Sequence, residues 1–381
     1  MLGLPGAGAG AWTLWSLSAI TLTMIVMTLS GWLLLEAFKH YHLPASFNTV
    51  TKDMLGSKMS WLSNLSIYFV GAILLYAYIT SAGLILQSTL QINSALASVL
   101  FVALASAFVW HSTRAVDRIS ILLIIFMISS FLFSVFGLST SIKTALLFDV
   151  IEESSNKAPF AMAMLPVALT SFGYHSAVSS MRAYYGEEKK AQYAILGGTF
   201  VALCFYVIWI LNVYGNLPRS WFFASADQGG DVDALINALT AVSGSDHIAQ
   251  GLKAFAFAAI LSSFIGVGLG IFDFLADFFE FDAGKRGRTA TWLLTFIPPL
   301  VLSLLFPFGF VVAIGYAGAI ATVWTCIIPA MLAFKSRSMS VKPQGFVVPG
   351  GLSVLILVFA FGVVTAIFHM LLMAGVLPTL N

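Results

Sequence analysis

The run LPVALTSFGYHSAVSSM, Leu165 to Met181, decides how this chain is read. It lies inside residues 159–181, a segment otherwise apolar enough to cross a membrane. Yet Thr170, Ser171, Gly173, Tyr174, His175 and Ser176 fall within seven residues near its middle. In hydrocarbon every backbone N–H and C=O needs a partner, so a glycine among hydroxyls and an imidazole is not a lipid-facing design. Two arrangements are open. The Ser and Thr hydroxyls can bond back to the preceding turn and leave the helix continuous. Alternatively the helix breaks and offers bare backbone groups to a ligand. The break is the expectation, because an ionisable residue at membrane depth marks function.

The rest of the chain supplies the setting for such a segment. Of 381 residues, 59% are hydrophobic and only 9% charged, against roughly 25% charged in soluble domains. That composition predicts an all-α polytopic membrane protein. A net charge of +2 gives no reason to expect nucleic acid as a partner. Cys204 and Cys326 lie in apolar runs and read as packing residues, and six scattered histidines lack metal-ligand spacing. No cofactor or metal is expected. Residues 1–10 carry no basic n-region of a cleaved signal.

Ten apolar segments are long enough to span: roughly 11–37, 61–86, 94–112, 119–140, 159–182, 192–214, 250–278, 290–311, 313–334 and 350–376. Pro166, Pro298, Pro299 and Pro329 should kink the helices that hold them. Fourteen of the eighteen basic residues sit in alternate connections: Lys39, Lys52, Lys58; Arg114, Arg118; Arg182, Lys189, Lys190; Lys285, Arg286, Arg288; and Lys335, Arg337, Lys342. The other connections hold Lys143, Lys157 and Arg219 beside Asp149, Glu152, Glu153, Asp227, Asp231, Asp233 and Asp246. Cytoplasmic loops carry the Lys and Arg excess, so the first set faces the cytoplasm and the acidic loop 215–250 faces outside. The first full segment then runs inward, and Met1–Gly8 reads as the outer half of a preceding helix. Counting it makes eleven crossings, with the C-terminus outside.

Several short runs, in order along the chain, resemble the aromatic amino acid permeases (the tryptophan and tyrosine permeases of bacteria) of the amino acid–polyamine–organocation superfamily. They are Met1, Leu4 and Pro5; Ser46-Phe47 with Thr51-Lys52-Asp53 and Leu55-Gly56; Tyr76-Ala77-Tyr78-Ile79; and Ser171-Phe172-Gly173-Tyr174-His175. Then follow Gly215-Asn216 with Pro218-Arg219; Phe272-Asp273 with Leu275-Ala276-Asp277; and Ala313-Ile314-Gly315-Tyr316-Ala317-Gly318. The stretches 46–56 and 215–219 are more similar to the tryptophan-specific members. The resemblance implies a five-plus-five inverted-repeat (LeuT-like) transporter fold whose first and sixth helices unwind midway around the substrate. It also implies proton symport across the bacterial inner membrane. One transporter domain would span 1–381: 1–8 as the outer half of the first helix, 11–140 completing the first repeat, 159–334 the second, and 350–376 an extra helix with a periplasmic C-terminus. The family has a Gly-rich turn directly before the Met-x-x-Leu-Pro element, and here the chain opens at that Met. The expectation is a start lying further upstream, and a first helix truncated in this form, without which transport fails.

A zwitterionic aromatic substrate needs donors for its carboxylate, acceptors for its ammonium and a flat apolar slot. Half-helix N-termini serve the carboxylate, some of them from the turn expected ahead of Met1. Carbonyls freed around Ser171, Phe172 and Gly173 accept from the ammonium, with Tyr174 beside them. Phe172, Tyr76, Tyr78 and Phe264 are the candidate ring walls, although with 33 Phe and 11 Tyr most aromatics must be packing. Ser262, Gly266, Gly270, Asp273 and Asp277 form one helix stripe. Its glycines would allow close helix approach, and Ser262 and Ser263 fall where sodium-coupled relatives of the fold hold a cation. His175 and Asp273 are the proton-coupling candidates, since burial brings such groups within reach of the working pH range. Asp277 reads as interfacial, pairing with Lys285 or Arg286. Glu36 and Lys253 read as structural residues that snorkel, and His369 as a packing histidine.

The function expected is therefore import of aromatic amino acids, tryptophan first and tyrosine or phenylalanine possible, with protons and the lipid bilayer as the other partners. An intramembrane enzyme would want paired catalytic groups at one depth, and His175 with Asp273 lack a nucleophile or metal partner. A passive channel or scaffold is the third reading. No phosphate-binding loop points to ATP.

Overall fold

The computed structural model describes residues 1–43, 45–149, 156–224, 232–306, 310–339 and 345–378, so Glu152, Glu153, Asp227, Asp231 and Lys342 lie outside the described residues. Within them, nine helices are long and apolar enough to cross a membrane. The remaining one of the ten apolar segments is the one that breaks.

The chain opens with a short α1 (Leu4–Gly8) and a turn into the long α2 (Trp12–Phe38). The turn forces Trp12 to φ +59°, a strained value for a side-chain-bearing residue. Trp12 is held there by stacking on Tyr214, with ring centroids 4.2 Å apart, and by donating its indole N–H to the Leu146 carbonyl at 2.7 Å. Next come the amphipathic α3 (Phe47–Leu55), capped where Ser46 Oγ accepts from Thr49 N–H at 3.1 Å, and three spans: α4 (Ser57–Leu90), α5 (Ser94–His111) and α6 (Thr113–Ser139). One face of α6 leaves Ile121, Leu122, Ile125, Phe126, Phe133 and Phe136 exposed, a surface that only lipid can cover without cost.

A single turn, α7 (Thr144–Leu147), precedes α8 (Ala158–Ser171), the three-residue 3₁₀ turn His175–Ala177 and α9 (Val178–Tyr185). The second half adds α10 (Glu188–Asn216), α11 (Arg219–Ala224), α12 (Val232–Ser243), α13 (Asp246–Phe278) and α14 (Lys285–Leu305). The ninth predicted segment is two helices, α15 (Phe310–Thr322) and α16 (Ile328–Ser338), joined by a π turn at Val323–Ile327. Pro329 explains the wide turn, because its missing N–H leaves the Thr325 carbonyl without its in-helix donor. Ser30 of α2 donates its hydroxyl to that carbonyl. Last is α17 (Gly351–Met373).

At one end of the bundle, Arg219 donates to the Gly10 carbonyl at 2.9 Å and the Ala9 carbonyl at 3.3 Å, and lies 3.6 Å from the Asp149 carboxylate. Tyr214 donates to the Pro5 carbonyl at 2.8 Å, and Asn216 to those of Leu138 and Asn212. These bonds give the Gly215 to Arg219 motif its structural meaning: it clamps the α1–α2 turn and the end of α6. At the other end, Arg182 joins Glu188 at 2.8 Å and the Tyr41 carbonyl at 3.1 Å.

Glu36 does not snorkel. Its side chain is fully buried and holds Arg337 through two bonds, 2.7 and 2.8 Å, while accepting from the Val348 N–H at 2.9 Å. Arg337 also donates to the Gly351 and Val348 carbonyls, so one ion pair joins α2, α16 and the approach to α17. Beside it His40 Nε2 is hydrogen-bonded to Ser336 Oγ at 2.8 Å, and burial together with Lys39 lowers the affinity of its imidazole for a proton.

Removing one member of a buried, hydrogen-bonded pair leaves the other uncompensated, at a cost of about 3–5 kcal/mol. Glu36→Ala should therefore lower the apparent melting temperature clearly in a detergent thermal-shift assay. Lys190→Ala, which removes an exposed partner of Glu187, should leave it within error. Equal effects from both would show that the Glu36 pair is not the latch described.

Candidate functional site

Both arrangements open for residues 165–181 operate together. Thr170 and Ser171 do bond back, to the Pro166 carbonyl at 3.0 Å and the Val167 carbonyl at 2.9 Å. The helix ends nonetheless. The backbone N–H of Phe172 turns to Leu169 O at 3.1 Å and that of Gly173 to Thr170 O at 3.1 Å, three-residue bonds that tighten and close α8. Tyr174 then leaves helical geometry (φ −121°, ψ 2°) before the chain recoils at His175. The C-terminal end of α8, with its aligned carbonyl dipoles, thus lies across a few residues from the N-terminal end of the next helical segment. One end favours positive charge and the other negative.

Side chains from other helices hold the break. Tyr206 of α10 donates its hydroxyl to the Ser171 carbonyl at 2.5 Å and sets its ring edge-on to Phe172, centroids 5.1 Å apart. Tyr174 donates to the Met27 carbonyl of α2 at 2.8 Å. Gly31 leaves room for it: a Cβ there would stand 2.2 Å from the Tyr174 hydroxyl. On the opposite side α15 meets α8 backbone to backbone at Gly318, where a Cβ would lie 1.9 Å from the Pro166 carbonyl oxygen. This contact accounts for the second glycine, Gly318, in Gly315-Tyr316-Ala317-Gly318.

His175 is buried, stacked on Tyr174 at 4.7 Å and edge-on to Trp324 of the π turn at 6.2 Å. Among the described residues neither of its ring nitrogens has a hydrogen-bond partner, and the buried Trp324 indole N–H beside it has none either. This differs from a packing histidine bonded to a carbonyl. His369 is in the same condition, packed edge-on to Tyr316 at 4.9 Å with both nitrogens unpartnered.

The predicted site residues separate into two groups. Ser171, Phe172, Gly173, Tyr174 and His175 form the break itself, and Tyr78 comes toward it. The Tyr78 phenol interacts with the Ser263 side chain and neighbours that of Tyr206, while its ring lies 6.3 Å from Phe310. Ser262, half-buried, adjoins Ser263 on α13. Tyr76 and Phe264 are not brought there. Tyr76 points to the end of α14, donating to the Phe306 carbonyl at 2.5 Å. Phe264 is fully enclosed between Phe101 (4.9 Å) and Phe296 (5.4 Å). Tyr76 and Tyr78, two residues apart on a helix, cannot share a face.

Three expectations for α13 are corrected. Gly266 and Gly270 have open space where a Cβ would be, and the close helix contact is at Gly268, against Phe296. Asp273 is exposed rather than enclosed and has Arg288 as its charged neighbour. Arg288 caps α5 by donating to the Val109 and Trp110 carbonyls, with its guanidinium over the Phe272 ring at 5.0 Å. Among the described residues Asp277 forms no ion pair with Lys285 or Arg286. Tyr206 and Trp324 were not singled out in the sequence because each is one aromatic among many in an apolar run.

The profile of the tryptophan/tyrosine permease family matches residues 1–369. The chain is 43% identical to the tryptophan-specific transport protein of Haemophilus influenzae, covering 96% of this chain and 91% of that protein. It is 37% identical to the low affinity tryptophan permease of Escherichia coli K12, over 95% and 89% of the two. With the tyrosine permease of Enterobacter agglomerans the figure is 33%, over 88% and 84%. Among solved structures, a manganese transporter mutant from Eremococcus coleocola superposes with a TM-score of 0.67 at 11% identity, over 98% of this chain and 83% of that one. At that identity the likeness is one of fold.

The tight fit at Gly31 generates a coupled prediction. Gly31→Ala should lower the melting temperature by pushing Tyr174 off the Met27 carbonyl, and Tyr174→Phe alone should cost about 1 kcal/mol for the lost bond. The double variant should lose less than the sum of the two. Strict additivity in thermal-shift measurements would place Gly31 out of contact with Tyr174.

Proposed function

Since the chain belongs to the tryptophan/tyrosine permease family, we propose that it imports aromatic amino acids, tryptophan foremost, and that the break between α8 and α9 is where the substrate binds. Family membership makes it a permease rather than an enzyme. The observation that carries the site is the break: a helix end rich in carbonyls and a helix start rich in N–H groups, a few residues apart in an apolar bundle. The ammonium would be held at the Ser171 to Gly173 carbonyls and the carboxylate at N–H groups of a half-helix start. Phe172, Tyr174 and Tyr78 would bound the ring, and Ser262 with Ser263 would line the α13 side. Tyr76 and Phe264 drop out of this set for the reasons of geometry given above.

The finer architecture belongs to the same proposal. We read one transporter domain of two inverted five-helix repeats: α1 to α6 as the first, α8 to α16 as the second, and α17 as an added helix. The end bearing Arg182, Arg288 and Arg337 is taken as cytoplasmic and the end bearing Arg219 and Asp149 as outer, because the basic excess is at the former. The C-terminus is then periplasmic in a bacterial inner membrane.

Proton symport is proposed with His175 as the better-supported carrier. Its enclosed, unpartnered imidazole can take a proton only together with a rearrangement of its neighbours, which is what coupling requires. Asp273, open and beside Arg288, is a candidate for proton entry rather than for the coupling step itself.

Uptake of labelled tryptophan into cells or proteoliposomes should saturate, be abolished by an uncoupler and be blocked by unlabelled tryptophan more strongly than by tyrosine or phenylalanine. Failure of tryptophan to block uptake of any aromatic amino acid would overturn the substrate, and unsaturable uptake would favour a channel. In the same assay His175→Gln should lose pH-driven accumulation while keeping substrate exchange, and Asp273→Asn should slow accumulation several-fold. Full pH-driven accumulation in His175→Gln would place the proton path elsewhere.

A further inference from the structure

Tyr206 stands outside the helices that form the break, yet its hydroxyl makes a 2.5 Å bond to the Ser171 carbonyl within it. That carbonyl is among the last four of α8, whose in-helix donors end where the helix ends. Its direction is therefore set by whatever bonds to it from outside. A carbonyl oxygen has two acceptor positions. The Tyr206 hydroxyl takes one from a fixed direction, since its own ring is braced edge-on against Phe172 and its phenol neighbours Tyr78. Among the described residues no second donor takes the other position, which leaves it to a donor approaching from the break, at the end of the α8 dipole that favours a cation. An ammonium there makes a charge-assisted bond, about twice as strong as a neutral one, and its strength depends on the carbonyl being aimed in advance.

We propose that Tyr206 is a positioning residue for the substrate's ammonium group: through its hydroxyl it aims the Ser171 carbonyl, and through its ring it fixes the adjoining wall, Phe172. This rests on the break being the substrate site. The two contacts separate chemically. Loss of the hydroxyl alone frees the carbonyl to swing and leaves the ring wall in place. The penalty then falls on ligands that carry an ammonium and spares those that have only the ring and the carboxylate.

The experiment is equilibrium binding to the purified full-length protein in detergent, with labelled tryptophan displaced by unlabelled tryptophan or by indole-3-propionate, which lacks the amino group. In Tyr206→Phe the Kd for tryptophan should rise roughly tenfold, equivalent to ~1.4 kcal/mol, while that for indole-3-propionate stays within about twofold. Their ratio is the readout that a merely structural role would not move. If the phenylalanine variant is not recovered folded, Tyr206→Met removes the same hydroxyl, and the ratio should rise there too even though both ligands weaken. An unchanged ratio, in either variant, overturns the role of Tyr206 while wild-type tryptophan binding leaves the permease reading standing. Absence of aromatic amino acid binding in the wild type overturns both.

Discussion

In hydrocarbon an unbonded carbonyl has no water to turn to, so a helix can be interrupted at membrane depth only where other groups reach across to it. The arrangement of α2, α8, α10 and α15 follows from that requirement. Where Pro329 removes a donor, Ser30 of α2 supplies one to Thr325. Where α8 ends, Tyr206 of α10 supplies one to Ser171. Where the chain turns between α1 and α2, Ser16, Tyr214 and Arg219 bond the carbonyls of Gly8, Pro5 and Gly10. Each of these irregularities in one helix is thus matched by a polar side chain on another, and the helices that carry these side chains cannot be rotated independently.

The charged residues act at the ends and the aromatic hydroxyls in the middle. Glu36 with Arg337, Arg182 with Glu188, and Arg219 with Asp149 bind helix termini and loops. Between them, at the break, the polar contacts are single neutral bonds from Tyr174 and Tyr206, each of which contributes about 1 kcal/mol. A bundle built this way is stiff where its loops gather and easier to rearrange at its centre, where the proposed substrate site lies.

Most of the helical plan was legible in the sequence because the bilayer demands long apolar runs: among the described residues nine of the ten carry a spanning helix, and the tenth is helical on either side of its break. The break was legible because five polar residues and a glycine crowded into seven positions have no packing explanation. What could not be read was which aromatic faces which. Tyr76 and Tyr78 look equivalent in a list of candidates, but a separation of two on a helix sends one to Phe306 and the other toward Ser263. Phe264 looked like a slot wall and is enclosed by two other rings. Asp273 illustrates a different failure: its depth within the run was clear, but Arg288 arrives from the following helix, and such a neighbour leaves no local pattern. Glu36 failed similarly, its partner lying some three hundred positions away.

The π turn at Val323–Ile327 settles how residues far apart on one span share a neighbour. Gly318, against the Pro166 backbone of α8, and Arg337, against Glu36 of α2, lie nineteen residues apart. At about 100° per residue an unbroken α-helix would leave them roughly a quarter turn out of phase. A wide turn of five residues takes up about that quarter turn, bringing both onto the side where α2 and α8 lie together. The extra residue therefore works as a phase correction. Inserting one further α-helical residue between Gly318 and Arg337 would add about 100° and swing Arg337 out of register with the Glu36 carboxylate.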